Sequence, residues 1–413
     1  MAVALIGLPG SAAVAGAAPS LSVDDLQACM ERLRPQAIAA GVSSASFAAH
    51  TATIKPEPSV LEKLDYQPEF KTAVWDYLAA LVDDERVADG KAMLATHAAT
   101  LAAVAQRYGV DAETVVAVWG VESNFGRAQG NYRLPQALAT LACAGRRQTF
   151  FRGELFAALR ILQGGHFAPE KLVGSWAGAF GQTQFMPSTF ERLAVDFDGD
   201  GRKDLIDSAA DALGSTANYL KQAGWRTAQP WGVEVKLPAA FDAGLVGRTK
   251  RRPLAAWQAL GVVAIDGKPL SASVVGEGDY GLLLPGLASG AQLPTAGPAF
   301  LVGRNFDAIY SYNASESYGL AIAHLADRLR GRGAFLTPWP IDDRGLSRTE
   351  RRELQRLLAA RGHDIGEVDG LLGEKSRVAV RAEQTRLGMR VTGRAGEHLL
   401  ARLRQTSTQP ASR

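Results

Sequence analysis

The sequence predicts an α+β chain, mainly helical, with a small β-containing insertion and a separate three-helix domain at the C-terminus. Three observations carry this. Apolar residues recur at helical spacing through Ala/Leu-rich stretches from about Ser22 to Leu220. From about Trp231 to Phe306 the texture changes to alternation, with frequent Gly and Pro. After Gly331-Arg332-Gly333 and Pro338-Trp339-Pro340 the pattern becomes helix, Gly-rich turn, helix, turn, helix, from about Ser347 to Arg404. At 413 residues, 47% hydrophobic and 21% charged, the chain is long enough for two or three domains and is neither disordered nor a disulfide scaffold.

The elements follow in order. The first twenty residues, MAVALIGLPGSAAVAGAAPS, carry no charge. They read as the apolar core of a secretory signal, with Ala15-Gly16-Ala17 as its cleavage site and residues 1–17 as its remnant. The positive region that should precede such a core is missing, and a loose Ala/Gly-rich terminus has the same composition. No later apolar run approaches the roughly 20 residues of a membrane span. The two cysteines, Cys29 and Cys143, form a disulfide if the chain is exported and are buried thiols if it is not.

Lys91 to Tyr108 and Gln148 to Gln163 have helical apolar periodicity. Asp111 is placed to cap a helix that runs towards Ser123. Val115, Val118, Trp119 and Glu122 then share one face of it. A carboxylate on an apolar stripe near a helix C-terminus is pushed towards its neutral form, which suits a general acid. The same placement also occurs for core carboxyls satisfied by an Arg or a backbone group.

Asp196-Phe-Asp198-Gly-Asp200-Gly-Arg202-Lys-Asp204-Leu-Ile-Asp207 fits an EF-hand calcium loop. Oxygen donors fall at positions 1, 3, 5, 9 and 12, the Arg202 carbonyl at 7, and glycine at 6. Position 12 is Asp207, where Glu is usual. An unpaired loop of this kind implies structural, not catalytic, Ca²⁺. Further on, Val233, Val235 and Leu237 alternate, Val262–Ile265 and Tyr280–Leu284 are strand candidates, and a helix spans about Ser317 to Arg330.

Net charge is +3 overall, but residues 341–413 hold 15 Lys+Arg against 10 Asp+Glu. That excess suits an anionic polymer or a solvated Arg-laced helix face. The overall balance does not call for nucleic acid. The six histidines show no zinc spacing, and no Walker A, GxSxG or dinucleotide fingerprint is present.

Glu122-Ser-Asn-Phe-Gly126 followed by Gly178-Ala-Phe-Gly-Gln-Thr-Gln-Phe-Met-Pro-Ser188 resembles the lytic transglycosylases of lysozyme-like fold, in the form of the membrane-bound lytic transglycosylase B family. Ala137–Leu141, Arg146-Arg147, Phe151–Leu155, Ser175–Gly178, the acidic loop and Tyr312-Asn313 extend the resemblance over roughly residues 22 to 330. It implies a catalytic domain over 22–332 with the β-containing insertion at about 231–306, and a linker over 333–346.

The implied reaction cleaves the bond between N-acetylmuramic acid and N-acetylglucosamine in peptidoglycan, forming a 1,6-anhydro sugar. Glu122 would be the single acid/base. Ser175, Gln184, Phe185, Met186, Tyr312, Asn313 and Tyr318 match cleft positions. Arg146, Arg147 and Phe150 match positions near the cleft, Phe150 where relatives can have tyrosine. Leu354–Leu358, Gly362–Gly370, Leu372–Ser376 and Ala379–Gln384 resemble a peptidoglycan-binding domain, over 347–404. The implied partners are peptidoglycan glycan strands and other cell-wall enzymes, and the implied location is the periplasm. A lysozyme-type hydrolase and a non-catalytic wall-binding scaffold are the competing readings.

Overall fold

A computed structural model describes residues 21–64, 72–270, 278–286 and 297–408. The strand candidate at Tyr280–Leu284 lies among these, whereas residues 1–17 lie outside them. The chain divides into two units, each assembled from separated stretches of sequence.

The first unit holds residues up to Lys71, Ala92–Gln229 and Arg304–Ser315, and is built almost wholly of helices. Ser22 caps the first helix, Val23–Ala39, by accepting the Asp25 N–H. Cys29 on that helix is disulfide-bonded to Cys143, the last residue of helix Leu134–Cys143, 114 positions away. Asp111 caps helix Ala112–Ser123 through the Thr114 N–H at 3.0 Å, as expected.

That helix is not one-faced. Every residue from Thr114 to Gly120 is buried, so it is a central core helix surrounded by the others. The stretch Lys91–Tyr108, expected as one helix, is broken between Asp84–Thr96 and Ala98–Tyr108. The break falls at His97, whose ring packs edge-on against Trp119 at 5.3 Å. Strands β1 (Tyr132–Arg133) and β2 (Val173–Gly174) form a two-residue antiparallel pair.

The second unit holds Thr72–Lys91, Pro230–Gly303 and Glu316–Arg413. Its sheet comprises β3 (Gly232–Lys236), β4 (Gly247–Pro253), β5 (Val263–Ala264), β6 (Asp279–Leu283) and β7 (Ala299–Val302). All neighbours are antiparallel, in the order β4-β6-β7-β3-β5. Its core gathers Val235, Val262, Leu282 and Leu301 around Trp257, which is fully buried and donates its indole N–H to the Tyr280 carbonyl at 2.9 Å.

The C-terminal helices Arg348–Ala359, Glu374–Arg386 and Glu397–Thr408 enclose a core of their own. Leu354, Leu358, Val380, Leu399 and Leu403 are at its centre. Ser347 and Glu350 form a reciprocal capping box at the first of them.

This module is bound to the acidic stretch between Val74 and Glu85. Arg394 makes a two-pronged pair with Asp76, at 2.7 and 2.8 Å. The Arg348 N–H reaches Asp83 at 2.8 Å, Arg351 reaches the Ala80 carbonyl at 3.0 Å, and Arg352 pairs with Glu85. The segment expected as a linker has no regular element but is pinned along its length. Phe335 stacks on His324 with centroids 3.9 Å apart, and the Leu336 and Thr337 N–H groups bond Glu234. Trp339 lies 6.2 Å from Trp75.

Candidate active site

Glu122 occupies the last turn of the central helix and is half-buried. The chain then leaves by a strained path. Asn124, Phe125 and Gly126 all take left-handed backbone angles, with φ of 52°, 61° and 80°. For a buried phenylalanine this conformation is costly and needs surrounding support. Phe125 receives it from Trp119, edge-on at 5.8 Å. Ser123, 1% exposed, supplies the rest: its hydroxyl accepts the Gly126 N–H at 2.8 Å and donates to the Gln182 carbonyl at 2.5 Å. A single hydroxyl thus ties the turn after Glu122 to the loop 178–186.

That loop is a tight hairpin. Phe180 and Phe185 exchange backbone hydrogen bonds at 2.9 and 3.0 Å. Gln184 sits between them at φ 51°, with its amide nitrogen donating to the Gly181 and Gln129 carbonyls. At Gly181, also left-handed, an added Cβ would meet the Leu205 carbonyl at 2.6 Å, so the loop lies directly on the acidic loop that follows. Trp119 Nε1, Asn124 Oδ1, Gln129 Oε1 and Thr183 Oγ1 are buried without a hydrogen-bond partner. Such atoms are rare in native interiors, and here four of them belong to the segments flanking Glu122.

Tyr312 closes the cluster. Its hydroxyl donates to the Thr183 carbonyl at 2.6 Å, and its ring lies 4.6 Å from Tyr219 and 5.9 Å from Phe185. Burial, and next the negative charge of Glu122, push its hydroxyl well above the ordinary phenol range, so it stays a neutral donor.

The expected site residues divide accordingly. Ser175, Gln184, Met186 and Asn313 are half-buried in the same unit as Glu122. Ser175 Oγ accepts the Ala179 N–H. Phe185 and Tyr312 were expected to offer faces to a sugar, but they are 2% and 7% exposed and act as the floor beneath the site. Tyr318 is 2% exposed within helix Glu316–Leu329 of the other unit, so it too is a core residue. Arg146 is exposed and holds the Leu64 carbonyl, while the Arg147 guanidinium lies 4.6 Å over the Phe150 ring. Glu154 accepts both the N–H and the hydroxyl of Ser188, which makes it a structural carboxylate.

In the acidic loop the structure brings together Asp196, Asp198 and Asp211, with ligand oxygens within 4.8 Å of one another. Asp211 was not foreseen. It is fully buried at the start of helix Ala209–Gln222 and accepts the N–H groups of Phe197, Asp198 and Asp204. The signal for it was Ser208, which caps that helix three residues earlier. Asp207 is instead paired with Lys171, Asp200 faces Arg202 at 3.8 Å, and Asp204 accepts the Ile206 and Asp207 N–H groups. An oxygen-only cluster, open to solvent at Asp198 and anchored by the buried Asp211, suits a hard cation such as Ca²⁺.

Residues 25–327 match the transglycosylase SLT domain. The chain belongs to that family. Residues 347–403 match a peptidoglycan binding domain. The chain is 35% identical over 234 residues to the membrane-bound lytic murein transglycosylase B of Escherichia coli (strain K12), an alignment spanning 53% of this chain and 57% of that relative. SltB3 from Pseudomonas aeruginosa, solved in complex with NAG-anhNAM-pentapeptide, is 48% identical, with a TM-score of 0.72 over 92% of this chain and 99% of SltB3. The Escherichia coli lytic transglycosylase SLT35, solved in complex with calcium, is 29% identical, with a TM-score of 0.61 over 74% of this chain and 92% of SLT35.

Proposed function

We infer that this transglycosylase chain is a peptidoglycan lytic transglycosylase acting between N-acetylmuramic acid and N-acetylglucosamine. The observation that carries the reading is Glu122: a half-buried carboxylate at a braced, left-handed helix end, close enough for its charge to act on Tyr312. As an acid, Glu122 protonates the glycosidic oxygen as the bond to the muramic C1 breaks. As a base, it then takes the proton of the substrate's own C6 hydroxyl while that oxygen closes on C1. The proton balance returns Glu122 to its starting state, and no water is consumed. Ordinary glycosidases need a second carboxylate to activate water or to attack. Here the substrate supplies the nucleophile, and the buried carboxylate of Glu154 in the same unit is held by Ser188.

The reading extends to the rest of the chain. Residues 22–332 form the catalytic domain, 333–346 the connection and 347–404 a wall-binding module. Export to the periplasm follows from the substrate. Asp196, Asp198 and Asp211 would hold a Ca²⁺ ion that neutralises the loop and does no chemistry. The calcium complex of SLT35 and the donor set support this.

Mass spectrometry of soluble products from purified sacculi tests the reaction. Products ending in 1,6-anhydromuramic acid support it. Products heavier by one water mean a hydrolase. Glu122→Gln should keep the fold and lose about three decades of rate. Near-wild-type anhydro-product release by that variant overturns the mechanism.

A further inference from the structure

The C-terminal module contains two turns built alike. Gln384, 3% exposed, holds residues 392–394: its Oε1 accepts the Thr392 and Gly393 N–H groups at 2.9 Å, and its Nε2 donates to Thr392 Oγ1 and the Arg394 carbonyl at 3.1 Å. That turn delivers Arg394 to Asp76 and Asp343. Gln355, 1% exposed, holds residues 367–371 in the same way. Its Oε1 accepts the Gly370 N–H at 2.7 Å, and its Nε2 donates to the Glu367 and Leu371 carbonyls and to Asp369. Asp369 in turn accepts the Leu371 N–H at 2.7 Å.

The second turn delivers apolar side chains to solvent. Leu371 is 65% exposed and Val368 38%; Val378, early in the helix that follows, is 53% exposed. Large apolar groups set outward on a backbone fixed by a buried amide form a preorganised contact surface, since little freedom remains to be lost on binding. The charge nearby argues about the ligand. Residues 364–378 carry Asp364, Glu367, Asp369 and Glu374 against Lys375 and Arg377, a net of −2. That repels the carboxylates of stem peptides. The guanidinium groups of Arg348 and Arg352 are already engaged by Glu85, and that of Arg394 by Asp76.

We propose that the turn 367–371 and the start of the following helix, through Val368, Leu371 and Val378, are the surface by which the module grips the uncharged, N-acetylated glycan backbone of peptidoglycan. The proposal rests on the wall-binding reading of residues 347–404. Acetamido methyls and the C–H faces of the sugars would pack on Leu371 and its neighbours, so binding depends weakly on salt.

The test uses the full chain carrying Glu122→Gln, which leaves the polymer intact, mixed in separate samples with uncharged β-1,4-linked N-acetylglucosamine oligomers and with solubilised peptidoglycan that keeps its stem peptides. Amide hydrogen exchange should slow across residues 366–378. Adding Leu371→Ser and Val378→Ser should remove that protection and weaken binding at least about tenfold, with an unchanged melting temperature because both side chains are exposed. Val391→Ser, beside the other turn and 51% exposed, should change neither. Protection elsewhere in 347–403 overturns this surface while leaving the module a wall-binder. Protection only when stem peptides are present overturns the choice of ligand. Protection nowhere in 347–403, with either polymer, overturns the wall-binding reading itself.

Discussion

Ser123→Ala removes the one hydroxyl that ties the turn after Glu122 to the loop 178–186. It leaves the buried Gln182 carbonyl and the half-buried Gly126 N–H without the partner each now has at 2.5 and 2.8 Å. The buried carbonyl costs about 1–3 kcal/mol and the half-buried N–H about 1 kcal/mol, so the folded state should lose about 2–4 kcal/mol. For a body of this size that is a fall in melting temperature of about 5–10 °C. Part of the loss should appear as function. The left-handed run Asn124-Phe125-Gly126 is no longer braced, and Glu122 immediately precedes it. A displacement of about 1 Å at an acid/base lowers turnover by up to about 100-fold. The assay is release of anhydro-products at a temperature where the variant is fully folded, with kcat and KM separated. The expected result is kcat down about 10- to 100-fold with KM near wild type. A lower melting temperature with unchanged kcat would show that Ser123 only stabilises. No change in either would refute the geometry.

Cys29→Ser with Cys143→Ser opens a closure of 114 positions, for which chain entropy gives an upper figure of about 5 kcal/mol; a melting temperature that is the same with and without reductant would refute this. His324 is buried, and burial, followed by the charge of Arg328, lowers its pKa to about 3. Below about pH 6.5 the unfolded chain takes up a proton that the folded chain refuses, so stability is full above that pH and is lost as pH falls towards 3. Wild type should lose about 2 kcal/mol between pH 7 and pH 5 at this site, and His324→Gln should flatten that part of the urea-midpoint profile. Ca²⁺ at about 100 times its dissociation constant should add about 2.7 kcal/mol to stability. Asp198→Ala should abolish that shift, and a wild-type melting curve indifferent to both Ca²⁺ and chelator rules out a stabilising ion.

Local signals were the legible part of this chain. The Asp111 cap, the helix Gln148–Gln163 and strands β3, β5 and β6 follow from side-chain chemistry within a few residues, and the structure has them. Glu122 stands near a helix end, as its sequence position suggests, but it has no single apolar stripe beneath it, because the helix is buried on every side. What failed depended on distant partners. His97 breaks a good helical sequence where it meets Trp119. Phe185, Tyr312 and Tyr318 have the composition of a sugar-binding surface, and only three-dimensional packing tells a floor from a wall. Asp211 lies outside the twelve-residue acidic pattern and enters it because the chain folds back. The basic excess of the C-terminal segment was visible, but the acids that absorb it lie about three hundred residues earlier.

The pairing of Asp76 with Arg394 spans 318 positions, which sets a timetable for the growing chain. The stretch from Val74 to Glu85 emerges early, carrying Asp76, Asp83 and Glu85 that await partners near the end of synthesis. Closing so long a loop is slow, and the waiting surface stays open to wrong contacts meanwhile. A chain stopped by a late nonsense codon would keep every residue around Glu122 and still leave Asp76 and Asp83 without the arginine and the N–H group they bind. Loss of the last seventy residues should therefore register first as poor yield and protease sensitivity near residue 80, before it registers as lost affinity for any polymer.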